Sequence, residues 1–209
     1  MSDHIYAYGI VEQSDEPPDP DVAGVGGATV DTIDCAGLSV LVSPIDTTDP
    51  DRSDEAVETH NEVLRAVLES GETVVPMQFG MAFESEATLR CVVEGAEAAF
   101  RDALAELAGT VELGLKVLGP DADAAQPSAL DDEALGQLSG IAVDEADHDR
   151  FSDRLALNRA YLVEREQRAA FDDAVDGLEA TLGDGWHVKY TGPWPPYSFV
   201  DIRIAAGGG

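Results

Sequence analysis

The stretch that most restricts the fold of this chain lies near its C-terminus, in residues 190–199, with the sequence YTGPWPPYSF. Each proline fixes its own φ angle and lacks an N–H donor, and each favours an extended conformation of the residue before it. The run GPWPP therefore cannot form a helix or a central strand. The sequence predicts a stiff, extended connection between a strand over residues 186–190 and a second strand over residues 197–204.

The aromatic side chains of this stretch allow two interpretations. In the first, they plug the edge of a hydrophobic core, because buried aromatic residues generally contribute to packing. In the second, they form a rigid aromatic surface that binds an apolar partner. The candidate partner-binding residues are Trp194, Tyr197 and Phe199.

The charge of the chain points to an environment of concentrated salt. Forty-two acidic residues against 12 basic ones give a formal net charge of −30, and Lys116 and Lys189 are the only lysines. The apolar content of 44% is sufficient for a packed core. At about 1 M salt the Debye length falls to about 3 Å, so the repulsion between the acidic groups is screened. We therefore expect a folded, halophilic protein of the cytoplasm.

The same charge excludes several partners. A nucleic-acid-binding protein carries a basic surface, and an anionic membrane attracts basic segments. We therefore expect no nucleic-acid partner and no membrane partner. The sequence contains no apolar run near the roughly 20 residues that span a bilayer, and residues 1–4 lack the pattern of a signal peptide. Cys35 and Cys91 are interpreted as small buried residues of a reducing compartment.

The first predicted domain covers residues 1–109. Apolar runs predict strands, and amphipathic segments with Ser53 and Ser85 as N-caps predict helices. The predicted strands cover residues 4–11, 28–34, 38–42 and 73–79, and the predicted helices cover residues 53–70 and 85–107. This order is close to a ferredoxin-like fold with an extra early strand, which has an antiparallel sheet and two helices on one face.

The second predicted domain covers residues 110–209. It begins with a strand over residues 111–118 and continues through an acidic linker, residues 119–149, with a short helix near residues 130–138. A continuous amphipathic helix over residues 150–182, about 50 Å long at 1.5 Å per residue, leads to the terminal strand–PWPP–strand unit. The predicted fold class is therefore α+β with two domains.

Motifs that carry enzyme chemistry are absent from the sequence. It has no glycine-rich phosphate loop and no Gly-x-Ser-x-Gly motif. The four histidines share no ligand spacing. His60 lies on the apolar stripe of the first helix and is interpreted as a hydrogen-bonded core residue. The acidic cluster 144–149 is interpreted as part of a solvated linker and not as a metal site. We therefore predict no catalytic residues, no metal and no cofactor.

Several segments together resemble the gas vesicle protein F/L family. They are the segments YAYGIV (6–11), VVPMQFG (74–80), LGLKV (113–117), NRAYLV (158–163) and, as the most specific, TGPWPPYSF (191–199). These segments are distributed over nearly the whole chain. Its compact length is more similar to the F type than to the longer L type, and its acidic composition agrees with a haloarchaeal member.

The resemblance implies a two-domain α+β protein that acts as a minor, non-enzymatic accessory component of gas vesicle formation. Such a protein would bind the small hydrophobic shell protein GvpA, limit its aggregation and help nucleate assembly with other accessory proteins. It would lie in the cytoplasm or on the gas vesicle. The family has no established catalytic residues, so the resemblance transfers none to this chain. The alternative function is that of a small enzyme with a ferredoxin-like fold, which would show a concave pocket with convergent, pKa-perturbed groups.

Overall fold

The α+β class is confirmed in the computed structural model, which describes residues 4–16, 18–121 and 130–202. The chain forms two compact units. In the described residues, one unit comprises the chain up to Gly109 together with residues 200–202, and the other runs from Thr110 to Phe199. Each unit contains one antiparallel sheet. In the described ranges, no helix combines the length and the apolar character that a membrane span requires.

In its described residues, the first unit has five strands and three helices. They are β1 (His4–Glu12), β2 (Asp31–Cys35), β3 (Leu38–Ile45), α1 (Asp54–Glu69), β4 (Val75–Pro76), β5 (Ala82–Phe83), α2 (Glu86–Gly95) and α3 (Glu97–Leu107). The strand order is β2-β3-β1-β4, and β5 also pairs with β1. The predicted interior strand at the start of the chain is therefore confirmed, because β1 lies between β3 and β4 and is buried from Tyr6 to Val11.

In the first unit, the predicted N-cap residues mark the starts of two helices. The Ser53 side chain accepts a hydrogen bond from the Ala56 N–H and begins α1, as predicted. The predicted helix 85–107 is wrong as one element, because Ala96, with φ −118° and ψ 13°, separates α2 from α3. Cys35 is buried as expected, whereas Cys91 on α2 is exposed. The predicted strand 73–79 is reduced to β4, with Pro76 at the edge of the sheet.

His60 is a core histidine, as predicted. It is 1% exposed, its Nε2 lies 3.1 Å from the Met77 carbonyl oxygen, and its Nδ1 lies 2.9 Å from the Tyr6 hydroxyl. A carbonyl oxygen can only accept, so Nε2 carries the proton and Nδ1 accepts from Tyr6. The Tyr6 hydroxyl accepts in turn from the Gly80 N–H, at 3.1 Å. Burial lowers the pKa of His60 to about 4, so the neutral imidazole is the folded form.

In its described residues, the second unit has four strands and two helices. They are β6 (Thr110–Leu118), α4 (Asp132–Ile141), β7 (Asp144–Asp147), β8 (Leu155–Glu164), α5 (Arg168–Thr181) and β9 (His187–Trp194). The strand order is β7-β8-β6-β9. Side chains of α4 and α5, among them Leu138 and Phe171, form one hydrophobic core with the face of the sheet that carries Leu113, Leu115 and Tyr161.

The predicted continuous helix over residues 150–182 is wrong. Residues 155–164 form β8, residues 165–167 form a turn of 3₁₀ helix, and the α-helix α5 has 14 residues, a length of about 21 Å. β8 pairs with β7 and β6 in the interior of the sheet. Residues on both of its faces are buried, so the period of two that marks a half-exposed strand does not appear in its sequence. Phe151, expected on the apolar stripe of that helix, is 72% exposed.

The second half of the predicted acidic linker is regular structure. The short helix expected near residues 130–138 is present as α4, and its N-cap Asp131 accepts from the backbone N–H groups of Glu133 and Ala134. Residues 144–147 form the edge strand β7, in which Glu145 and Asp147 pair with Arg159 of β8. The first half of the linker includes residues 122–129, which lie outside the described residues.

The last predicted strand, residues 197–204, is also wrong in its described part. Tyr197–Phe199 is a turn of 3₁₀ helix, and residues 200–202 form no strand. The preceding strand is longer than predicted and continues through Pro193 to Trp194. Residues 203–204 lie outside the described residues. The proline-rich stretch therefore ends an edge strand instead of joining two strands.

His60 predicts a pH dependence of stability. The unfolded chain binds a proton near pH 6.5 and the folded chain only near pH 4, so the unfolded state binds more protons between these values. Stability is fully present above about pH 6.5. Between there and pH 4 we expect a loss on the order of 3 kcal/mol, because one pKa unit corresponds to about 1.4 kcal/mol.

Denaturant titrations of the wild-type protein and of His60→Gln, at constant salt, measure this effect. The difference between the two free energies of unfolding should shrink as the pH falls, because only the wild-type protein has the imidazole to protonate. A difference that stays constant between about pH 7 and about pH 5 would contradict the assignment to His60.

Candidate functional site

The candidate site is built on the edge strand β9. In the register of β9 with β6, Thr191 lies opposite Gly114 and Trp194 lies opposite Glu112. Three steps along β9 therefore match two steps along β6, which is a β-bulge at Gly192-Pro193. An edge strand accommodates proline because its outer N–H groups have no strand partner. The bulge changes the direction of the chain at the end of the sheet.

Gly192 is required at the bulge for two reasons. Its φ angle is 125°, which side-chain-bearing residues rarely adopt, and a Cβ atom there would lie 2.8 Å from the Glu112 carbonyl oxygen. The peptide bond between Gly192 and Pro193 is cis. The close approach of the two backbones fixes where the chain leaves the sheet.

The segment after the bulge is a compact turn. Pro195 and Pro196 are buried. The Tyr197 N–H donates to the Pro195 carbonyl at 2.7 Å, and the Phe199 N–H donates to the Pro196 carbonyl at 3.2 Å. The prolines pack inward, and the short turn that follows presents the last aromatic residues.

A buried carboxylate attaches this turn to the sheet. Glu112, 8% exposed, accepts from the Ser198 N–H at 2.8 Å and from the Ser198 hydroxyl at 2.7 Å. Burial raises the pKa of Glu112, while the two bonds from Ser198 oppose that rise. A buried carboxylate needs such donors, since leaving its oxygens without them costs free energy.

His148 extends this contact but does not make a nucleophile of the serine. Its Nε2 lies 3.1 Å from the Ser198 Oγ. The Ser198 hydroxyl has one proton and donates it to Glu112, so Oγ accepts from His148. A nucleophilic serine needs the opposite arrangement, in which the histidine takes the hydroxyl proton. The three side chains therefore fasten the turn, and they do not form a catalytic triad.

The aromatic residues between Trp186 and Phe199 divide between two roles. Trp186 and Tyr190 pack against the core of the second unit, and the Tyr190 hydroxyl donates to Asp172 at 2.6 Å. The three candidate residues Trp194, Tyr197 and Phe199 are half-buried and are not part of that core in the described residues. The structure thus gathers the three candidates on the end of β9 and the turn that follows it.

Sequence reasoning missed the three residues that hold the turn, Glu112, Ser198 and His148. One signal was present, because Glu112 is an acidic residue inside the strand sequence TVELGLKVL, where a buried carboxylate needs donors. The identity of the donor was not accessible, because Ser198 lies 86 residues away along the chain.

The described residues offer little support for the enzyme alternative. The first unit has a groove of about 570 Å³ between β2 and α2, with Asp31, Glu86 and Arg90 among its lining residues. His60, the histidine with the strongly lowered pKa, does not line it. In the part of the chain that the structure describes, no three histidine, cysteine or carboxylate side chains are placed to hold a metal ion.

The bulge predicts that alanine substitutions at two glycines change the stability of the protein in opposite directions. Gly192→Ala should lower the free energy of unfolding by about 1–3 kcal/mol, because the new residue adopts an unfavourable φ and its Cβ meets backbone. Gly177→Ala, inside α5 with open space around it, should raise stability by about 0.5–1 kcal/mol. Denaturant unfolding of both variants measures the contrast, and equal effects would refute a special role of Gly192.

The turn contact predicts a cost for the loss of one hydroxyl group. Ser198→Ala should destabilise the protein by about 1–3 kcal/mol, because the buried Glu112 carboxylate loses a donor. Ser14→Ala is the matched control, since the Ser14 hydroxyl bonds only in an exposed loop, and it should change stability by less than about 0.5 kcal/mol. Denaturant unfolding of both variants tests this, and indistinguishable stabilities would show that the contact is weak.

Solved structures with the same fold cover nearly the whole chain. The crystal structure of the gas vesicle protein GvpF from Anabaena superposes with a TM-score of 0.84 at 20% sequence identity, over 96% of this chain and 97% of that one. The crystal structure of GvpF from Microcystis aeruginosa gives a TM-score of 0.81 at 22% identity, over 96% of this chain and 100% of that one. These matches establish the fold.

Sequence relatives establish the family. Gas vesicle protein F1 of Halobacterium salinarum is 50% identical over 99% of this chain and 97% of its own length. Gas vesicle protein F of Haloferax mediterranei is 48% identical over the same shares. The profile of the family described as gas vesicle synthesis protein GvpL/GvpF matches residues 4–137 and 124–201. The haloarchaeal source of these relatives agrees with the acidic composition, and the chain belongs to the GvpL/GvpF family.

Proposed function

We propose that this protein is a non-enzymatic accessory protein of gas vesicle formation that binds the hydrophobic shell protein, GvpA. In this role it limits the aggregation of the shell protein and helps to nucleate assembly with other accessory proteins. The observation that carries the proposal is the aromatic segment, residues 194–199. Its three candidate aromatics are half-buried outside the core of their unit, on a turn fixed by Glu112. The names of the relatives support the association with gas vesicles.

The physical basis is the combination of an apolar contact with a highly charged body. Aromatic side chains supply large apolar contact areas at a low cost in conformational entropy, and they often dominate binding energies. A rigid turn lowers that cost further, since its backbone is ordered before the partner arrives. The net charge of −30 keeps the complex in solution. Such a protein could hold an aggregation-prone subunit without precipitating with it.

The proposal predicts that the aromatic side chains are needed for capture of the shell protein. Replacement of Trp194 and Tyr197 by alanine should weaken the capture of GvpA by about tenfold or more. About 1.4 kcal/mol of lost apolar contact, roughly 56 Å² at 25 cal/mol/Å², is sufficient for that factor. Pull-down at high salt from a mixture with purified GvpA measures the effect.

Val143→Ala is the matched control, because Val143 is an exposed apolar residue outside the segment. The control variant should capture the shell protein as well as the wild type does. Far-ultraviolet circular dichroism should show that both variants are folded. Undiminished capture by a folded Trp194→Ala/Tyr197→Ala variant would remove the aromatic segment as the contact surface.

A further inference from the structure

The only two lysines of the chain meet on one face of the second sheet. Lys116 of β6 and Lys189 of β9 are directly opposed in the antiparallel register, so their side chains extend from the same face with Cβ atoms about 5 Å apart. Leu115 and Val117, the neighbours of Lys116, face the hydrophobic core, so both lysines lie on the face away from α4 and α5. Lys189 is exposed and Lys116 is half-buried.

This pairing has a cost that no ion pair offsets in the described part of the chain. Like charges that lie directly opposite each other destabilise a sheet. Asp149 and Asp153 are close to Phe151 in the sequence, yet in the described part of the chain neither lysine forms an ion pair with a carboxylate. In a chain of 42 acidic residues, two adjacent cations without an ion pair are an unusual use of charge.

An exposed aromatic ring completes the surface. The Lys116 ammonium lies 5.2 Å from the centroid of the Phe151 ring, within the range of a cation–π contact. Phe151 is nevertheless 72% exposed, the highest value among the large apolar side chains described. The lysine pair and Phe151 therefore form a cationic and apolar patch, which we name the lysine–phenylalanine patch.

We propose that the lysine–phenylalanine patch is a docking site for an acidic segment of a partner protein, whose carboxylates bind the two lysines while an apolar side chain covers Phe151. Charge complementarity selects this occupant. A protein that works in the same concentrated salt keeps itself soluble with surface carboxylates, as this chain does, and so offers the required groups. A short acidic segment can contact the patch alone, whereas nucleic acid and an anionic lipid surface are extended polyanions that would also meet the acidic surface around it, since the chain has a net charge of −30.

This docking site is independent of the aromatic segment and of the proposed binding of the shell protein. It assigns a function to two residues that the structure does not otherwise explain. Lysine ammonium groups are strongly hydrated point charges on flexible stems, so a pair of them suits an acidic segment better than a single, rigidly placed anion.

A peptide-binding experiment tests the proposal on the full chain. The probe is a short labelled peptide of glutamates with interspersed leucines, and its control has glutamine at every glutamate position. In about 1 M KCl the Debye length is about 3 Å, so only contact ion pairs remain effective. Fluorescence anisotropy should show binding of the glutamate peptide and markedly weaker binding of the glutamine peptide. Equal binding of both peptides would overturn the proposal.

Substitutions locate the site. Lys116→Gln and Lys189→Gln should each weaken binding of the glutamate peptide by about two- to fivefold, the range expected for exposed ion pairs, and Phe151→Ser should also weaken it. The matched controls are Arg52→Gln, which removes one exposed positive charge in the first unit, and Val143→Ser, which removes a 56% exposed apolar side chain in the second. Both controls should bind as the wild type does.

Thermal unfolding of the lysine variants distinguishes a role of the lysines in binding from a role in stability. The lysine variants should keep or raise the midpoint of unfolding, because each removes a repulsion from the free protein. A lowered midpoint together with lost binding would identify the lysines as structural and overturn the proposal. A second copy of this chain is the other occupant to be tested, and analytical sedimentation of the chain alone tests it. A dimer that the lysine substitutions abolish, without binding of the glutamate peptide, would replace the acidic partner by a second copy.

Discussion

The candidate site depends on the hydrogen bonds between the buried carboxylate of Glu112 and Ser198. A carboxylate that is 8% exposed needs donors for its oxygens, and the Ser198 N–H and hydroxyl supply them. The geometry also needs Gly192, whose missing side chain lets β9 approach the backbone at Glu112. Two local requirements, a donor pair and a close approach, thus place the turn that carries Tyr197 and Phe199. The aromatic surface is a consequence of polar chemistry beneath it.

The sequence was most informative where a structural signal is local. The N-cap Ser53 and the apolar stripe that follows identified α1, and the continuous apolar run at residues 4–11 identified an interior strand. The sequence of β8 predicts a helix, because its residues include good helix formers and both of its faces are apolar and buried. Only pairing with β6 and β7 makes it a strand. Tertiary context overrode local propensity there.

The candidate site was predictable in its composition but not in its assembly. The prolines, the glycine and the aromatic residues predict a stiff, extended connection between two strands, whereas the structure has a β-bulge followed by a turn of 3₁₀ helix. Which aromatic side chains enter the core depends on the strand register, and the register placed Tyr190 inward and moved the end of β9 to Trp194. The contacts of Ser198 with Glu112 and His148 join distant parts of the chain, and no local pattern encodes them.

The arginine and lysine side chains of this protein differ in the contacts that they make. In concentrated salt only contact interactions between charges persist, and the planar, multidentate guanidinium makes them best. Arg90 and Arg101 accordingly donate to backbone carbonyls of the β2–β3 hairpin, and Arg159 holds the acidic strand β7 to β8. Lys116 and Lys189 make no comparable contact in the described residues. A fold that uses Arg90, Arg101 and Arg159 in structural contacts and sets its only two lysines side by side has kept that pair of charges available for a partner.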